Sequence, residues 1–329
     1  MNKHLIIAIY VDDIVIACKE LDRIVDFKKR LGNRFKTKDL GEVNYVLKIR
    51  VERMLDGGWK IHQHNYIDDL IKFYDLRNDK RVSIPIKPNH KLTVDLEDEK
   101  DHLRADADST EYRQVIGKLM YLMKCSRPDI CYAVCVLSRF MSAPKEKHWR
   151  YVKQLLRYIK TTRDYELVYP VSESINLTGY TDSDHAGDLG DRKSTGGFAF
   201  ILSGCTISWR SMKQKTIAIS STEAENVAMS EATTEAIWLK AILSELSIDI
   251  GTITMCNDNQ SSMHIIRNPS SHNRSKHIDV RFHFIRDHYQ NGTISLKYIE
   301  SEKLCADFLT KGVHQVKHAQ CMKQLNILN

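Results

Sequence analysis

The chain has 329 residues, 42% of them hydrophobic and 28% charged, with a formal net charge of +7. That length suits two domains with separate cores, and the composition is ordinary for a globular protein. No apolar run reaches the roughly 18 to 20 residues that a membrane span needs, so no membrane partner is expected.

The first apolar run, 5–11, stops at Asp12-Asp13 without a small-residue cleavage site, so it reads as a buried strand and not as a signal peptide. Residues 4–18 are predicted as strand, sharp turn and strand, and 21–35 as a helix with apolar positions near the 3.6 period. Residues 45–54 alternate like a strand, and Gly57-Gly58 makes a hairpin turn before a strand at 59–63. His62 and His64 fall two apart there and read as a solvated face. A short helix is expected at 66–74. Residues 86–111 are dense in Asp, Glu and Lys, as in a solvated linker. Helical patterns resume at 112–125, 128–141 and 148–161, with Pro128 in a first turn where its missing N–H costs nothing. Cys125, Cys131 and Cys135 lie in this apolar stretch and read as core, since no CxxC pair occurs. The eight scattered cysteines, without a secretory signal, suit reduced thiols in the cytosol or nucleus.

Beyond Tyr169-Pro170 the pattern changes. Strands are predicted at 175–182, 196–204 and 205–212, then a long helix at 221–246 capped by Ser220, Ser221 or Thr222. A strand at 252–257, helices at 261–267 and 279–290, a strand at 293–299 and a helix at 303–311 follow. That order predicts an α/β domain with a mixed five-stranded sheet, antiparallel at first and then crossing over through helices.

Four carboxylates fall at the ends of these elements: Asp182 after the first strand, Glu225 in the long helix, Asp258 after the fourth strand and Asp307 in the last helix. Hydrolysis of a phosphodiester needs an attacking water and a stabilised leaving oxygen, which two divalent ions about 3.5–4 Å apart can serve. Several carboxylates hold such ions, and oxygen ligands select Mg²⁺ or Mn²⁺. At about 100° per residue, Glu225 lies about 60° from the buried stripe at Ala228 and Glu223 about 140° from it, so Glu225 is the one able to flank the core.

The stretches 180–187, 192–197, 213–225, 257–261, 275–287 and 306–311 resemble the RNase H domain of copia-type retrotransposon polyproteins. The resemblance implies an RNase H-like fold, two Mg²⁺ or Mn²⁺ ions, and an RNA–DNA hybrid as substrate. It carries the catalytic and metal-binding carboxylates onto Asp182, Glu225, Asp258 and a variable fourth, Asp307, with Asp279 as its competitor. Arg192, Lys193, Arg210, Lys213, Lys215 and His277 are candidates for contacts to nucleic-acid phosphates. Asn226 stands where the family commonly has an aromatic residue and His185 where it commonly has Trp.

Tyr10-Val11-Asp12-Asp13 resembles the catalytic turn of a reverse transcriptase palm, with Asp12 and Asp13 as metal ligands. Copia-like stretches at 35–42, 117–122, 126–130 and 139–158 support it, and Lys48 replaces a usual glycine. A palm needs a further Asp on an earlier strand, so polymerisation is not expected of this chain alone. The expected division is a palm remnant at 1–85, the linker at 86–111, a helical thumb- or connection-like region at 112–170 and the RNase H-like domain at 171–329. The expected function is hybrid cleavage, with other parts of a polyprotein as further candidate partners; the alternative is an inactive, nucleic-acid-binding retroelement remnant.

Overall fold

The computed structural model describes residues 4–76, 80–88, 109–172, 174–268 and 276–329, except for the side chains of 276–279. Most of the expected linker, 89–108, lies outside these residues.

Strands β1 (Ile6–Tyr10) and β2 (Asp13–Ala17) pair antiparallel as a two-stranded sheet of their own. The expectation of a buried strand fails here, because every residue of β1 is exposed, Ile9 at 69%. A two-stranded ribbon buries a face only against another element, and among the described residues no third strand joins it. Helix α1 (Leu21–Gly32) follows and likewise buries no residue.

The predicted strand at 45–54 is a hairpin, β3 (Tyr45–Val46) and β4 (Ile49–Arg53), turned by Leu47 and Lys48 at φ of 49° and 59°. Two consecutive left-handed residues suit a tight hairpin turn, a position that favours glycine. Lys48→Gly should therefore stabilise the chain by about 0.5–1 kcal/mol, after loss of the weak contact of its ammonium with the Tyr66 ring. Urea unfolding with an unchanged slope would check this; a destabilised variant would refute it.

Strand β5 (Trp59–His62) extends this hairpin into a five-stranded sheet with β6 (Glu166–Tyr169) and β12 (Ile327–Leu328), in the order β12-β6-β5-β4-β3. The sheet thus draws together segments from both sides of the expected boundary at 170/171. Helices α2 (His64–Phe73), α3 (Ser109–Cys125), α4 (Cys131–Ser138) and α5 (Glu146–Thr161) bury their apolar stripes in one core with Leu167 and the segment 304–327.

Arg127 and Asp129 are fully enclosed at the end of α3. The guanidinium grips both carboxylate oxygens at 2.9 and 2.7 Å and donates to the Thr162 carbonyl at 3.0 Å, while the Tyr158 hydroxyl donates to Asp129 at 2.7 Å. Burial alone would raise the Asp129 carboxyl, but the guanidinium against it holds it below the usual carboxylate range.

The third sheet has the order β11-β10-β7-β8-β9: β7 (Leu177–Ser183), β8 (Thr195–Leu202) and β9 (Cys205–Lys213) antiparallel, with β10 (Ile253–Asn257) and β11 (Ile294–Tyr298) added parallel. This is the mixed five-stranded sheet, antiparallel at first and then parallel, that the element order implies. Helices α6 (Ser221–Glu245), α7 (Gln260–Arg267) and α8 (Lys276–Gln290) cover one face, and the core of the α2–α5 region reaches the other through Ala199, Tyr180, Ile201 and Trp209.

The predicted helix at 303–311 is replaced by two 3₁₀ turns, Ser301–Lys303 and Cys305–Leu309. Residues 304–310 are buried on every side, so one-sided helical periodicity does not describe them. The second turn rests on Gly197, where an added Cβ would come within 2.7 Å of Leu309 Cβ. Helix α9 (Gln315–Gln324) and β12 follow, neither of which was expected.

Candidate carboxylate active site

Asp182 sits near the C-terminal end of β7, the central strand of its sheet. β8 on one side holds it through pairing with Gly197, and β10 lies on the other. Asp258 follows the end of β10, beside β7. Helix α6 is set by a reciprocal cap: Ser220 Oγ accepts the Glu223 N–H at 3.2 Å, and Glu223 Oε2 accepts the Ile219 N–H at 2.9 Å. Glu223 therefore serves the helix end. Glu225, two residues on, points to the sheet, and one carboxylate oxygen each of Asp182, Glu225 and Asp258 lies within 4.8 Å of the others.

Each member has supports. Glu225 Oε2 accepts from the Asn257 amide at 2.8 Å and Oε1 from the Ser183 N–H at 3.2 Å. Asn257 also donates to the Thr181 carbonyl at 3.0 Å, so it is held by β7. Thr310 Oγ donates to Asp182 Oδ2, and Ser301 Oγ to Asp258 Oδ2 at 2.6 Å. Asp307 is buried beside the trio without being one of it. The Lys311 ammonium stands 3.0 Å from Asp307 Oδ1 and 3.7 Å from Asp182 Oδ2, with Lys317 3.4 Å from Asp307 Oδ2. Asp279 and His277 lie in the first turn of α8, with side chains outside the described residues.

Burial, partly offset by Lys311 and reinforced by Asp307, pushes the Asp182 carboxyl up to about 7; burial and then Asp182 push Glu225 up as well. Acids raised in the folded state stay protonated where the unfolded chain has ionised. The metal-free fold should therefore lose stability as pH rises from about 4 through about 7. Asp182→Asn should then raise the melting temperature at pH 8 in chelator, an effect that thermal unfolding at pH 5 and pH 8 would measure; an equal shift at both pH values would refute the charge crowding. The donors are all carboxylate oxygens, and two of them are buried with too little positive charge nearby, a set suited to a hard divalent cation.

The basic candidates differ from one another. Lys213 is engaged, contacting Asp188 Oδ2 at 2.5 Å and Asp191 Oδ1 at 2.9 Å, and Arg139 shares Asp188. Lys193 lies 3.7 Å from Asp191, and Arg192 takes a left-handed φ of 58° in the same loop. Arg210 and Lys215 are exposed. Asp184 accepts the Thr195 N–H and braces β7 against β8. His185 meets the Ala218 carbonyl at 3.3 Å, and the buried Asn226 donates to Thr222 O within its own helix. Asp12 and Asp13 stand at the exposed β1–β2 tip, and among the described residues neither belongs to a group of three metal-ligating side chains.

Sequence reasoning missed Asn257, Thr310, Ser301 and the ammonium of Lys311. Asn257 had a signal, as a polar amide closing a strand of otherwise apolar or small residues immediately before Asp258.

Residues 1–88 match the family model described as reverse transcriptase (RNA-dependent DNA polymerase). The retrovirus-related Pol polyprotein from transposon TNT 1-94 of Nicotiana tabacum is 38% identical over 97% of this chain and 24% of its own length. A putative transposon Ty5-1 protein of Saccharomyces cerevisiae is 33% identical over 70% of this chain and 73% of its own. The chain belongs to the copia-type retrotransposon Pol family. This Pol chain spans about a quarter of the length of the first of these relatives. Among solved structures, LC11-RNase H1 in complex with an RNA/DNA hybrid is 17% identical and covers 41% of the Pol chain and 94% of its own, with a TM-score of 0.33. No helix among the described residues of the Pol chain is long and apolar enough to cross a membrane.

Proposed function

We propose that this Pol chain is a metal-dependent ribonuclease H that cuts the RNA strand of an RNA–DNA hybrid. The observation that carries the reading is the convergence of Asp182, Glu225 and Asp258 at one end of a mixed sheet. These three, with Asp307 beside them, would hold two Mg²⁺ or Mn²⁺ ions. Bound there, the ions would activate the attacking water and stabilise the leaving 3′ oxygen. Asn257 and the Ser183 N–H fix the Glu225 carboxylate, and Thr310 fixes Asp182, so the donors are oriented before substrate arrives. RNA would be distinguished from DNA by its 2′-hydroxyls.

In the same reading, residues 1–85 are palm-like, 112–170 a thumb- or connection-like region and 171–329 the nuclease domain, whose last strand β12 joins the other sheet. The test is cleavage of a labelled hybrid with Mg²⁺ and with Mn²⁺. An inert chain under both conditions would support the nucleic-acid-binding remnant instead.

Hybrid affinity should fall with salt as phosphate contacts release counterions. Lys215→Ala should flatten that slope by about one unit. Lys213→Ala should change it less, because Asp188 and Asp191 already neutralise that ammonium. Titrations at several salt concentrations would decide, and an unchanged slope for Lys215→Ala removes it from the interface.

A further inference from the structure

A second cluster of ligating side chains lies on the other five-stranded sheet. His62 ends β5 and His64 opens α2. The intervening Gln63 points away, its amide oxygen accepting from Ser126 at 2.8 Å. The register that pairs Ile61 with Leu167 brings His62 opposite Glu166 of β6. His62, His64 and Glu166 each offer a ligand atom, and these lie within 4.8 Å of one another. His62 Nε2 is 3.8 Å and His64 Nε2 3.7 Å from the same oxygen, Glu166 Oε1. Glu52 Oε1 is 3.6 Å from His62 Nε2 on the third side.

These separations are too long for hydrogen bonds. They are close to the edge of a tetrahedron around an ion with bonds of about 2.0–2.2 Å, which is about 3.3–3.6 Å; the two rings stack with centroids 3.5 Å apart at 24°, so one must turn for both nitrogens to meet the ion. The solvated face expected from sequence is not found, since His62 is 7% exposed. His64 Nε2 is buried without a hydrogen-bond partner, although it points at the shared carboxylate. An orphaned buried ring nitrogen aimed at a second imidazole and a carboxylate needs an explanation. Desolvation leads the causes that lower both imidazoles.

We infer that His62, His64 and Glu166 form a binding site for a first-row divalent transition metal, zinc by preference. Two imidazoles with one carboxylate favour Zn²⁺ over Mg²⁺ or Ca²⁺, which take oxygen ligands. Glu52 or water completes the set. Lys60 lies against the outer oxygens, 3.0 Å from Glu166 Oε2 and 3.2 Å from Glu52 Oε2, which leaves the Oε1 side to the imidazoles. Lys60 also touches Glu166 Oε1 at 3.1 Å and Arg50 touches Glu52 Oε1 at 3.2 Å, so both cations must yield some of that contact. Binding through His62 Nε2 puts the ring proton on Nδ1 and gives up a long 3.4 Å contact from the His64 N–H. The ion would tie β5, α2 and β6 together, joining segments about a hundred residues apart in sequence.

The test uses the full chain carrying Asp182→Asn and Glu225→Gln, so that the carboxylate trio does not compete for the ion. Calorimetric titration with Zn²⁺ should show one site. Adding His64→Gln, or separately His62→Gln, should weaken it by more than about tenfold. In the unsubstituted chain, Zn²⁺ should protect His62 and His64 from diethyl pyrocarbonate, read by peptide mass spectrometry, a measurement that needs no variant to fold. No Zn²⁺ site in the parent, affinity undiminished by both substitutions, or unprotected His62 and His64 would each overturn the assignment.

Discussion

Replacing Asp182 by Asn is expected to reduce hybrid cleavage by roughly a thousandfold or more, with the fold and hybrid binding retained. Asn keeps the size of the side chain and can still meet the Thr310 hydroxyl, but it removes the charge at the centre of the cluster. Loss of a central metal ligand should cost several kcal/mol of transition-state stabilisation, and about 1.36 kcal/mol is tenfold in rate. Glu225→Gln and Asp258→Asn should behave alike. Asp307→Asn should be milder, because its carboxylate is already engaged by Lys311 and Lys317. Glu223→Gln is the control: it touches the α6 cap alone and should stay active. Single-turnover rates with Mg²⁺ would rank the set, and an Asp182→Asn protein that cuts as fast as the unaltered chain would remove this site from the chemistry.

Arg127→Ala should be the most damaging single change to stability, about 3–5 kcal/mol, because it leaves Asp129 charged and enclosed without its counterion. The apolar pair Arg127→Met with Asp129→Leu should recover part of that loss, short of about 1–3 kcal/mol for the Tyr158 hydroxyl left without its acceptor. The depressed Asp129 carboxyl adds stability above the ordinary carboxylate range and loses it as pH falls through its folded value, so the penalty of Arg127→Ala should shrink in acid. Urea midpoints at pH 7 and pH 3 would measure both effects. A loss under about 1 kcal/mol at pH 7 would show that the pair is not structural.

Much of the fold beyond residue 170 was legible in the sequence because its elements have one dominant period each. The helix at 221–246 and the strands around Asp182 and Asp258 fall within two or three residues of their observed bounds. The choice of Glu225 over Glu223 followed from helical geometry, and the structure puts Glu223 in the cap, a role set by Ser220 three residues upstream. Other features depend on tertiary contacts that leave no local period. The 304–310 stretch is enclosed on all sides, and its 3₁₀ path is set by contact with Gly197. His62 and His64 alternate as on a wet strand, yet β4 and β6 on either side bury His62, and His64 at the start of α2 is half-buried. The apolar β1 run looked like core, but its ribbon has no sheet neighbour among the described residues.

The strand order β12-β6-β5 has a kinetic meaning. Ile327 pairs with Leu167, and Leu167 pairs with Ile61, so three distant stretches must meet before that sheet is complete. A chain emerging from the ribosome can form the β4–β5 hairpin early, but β6 gains its outer neighbour only when residues 327–328 have been made. Until then the edge of β6 presents unpaired N–H and C=O groups beside the apolar Leu167, a template for strand exchange between nascent copies. Such a high-contact-order closure slows folding, and it puts Ile327 and Leu328 among the residues that decide whether this sheet is completed.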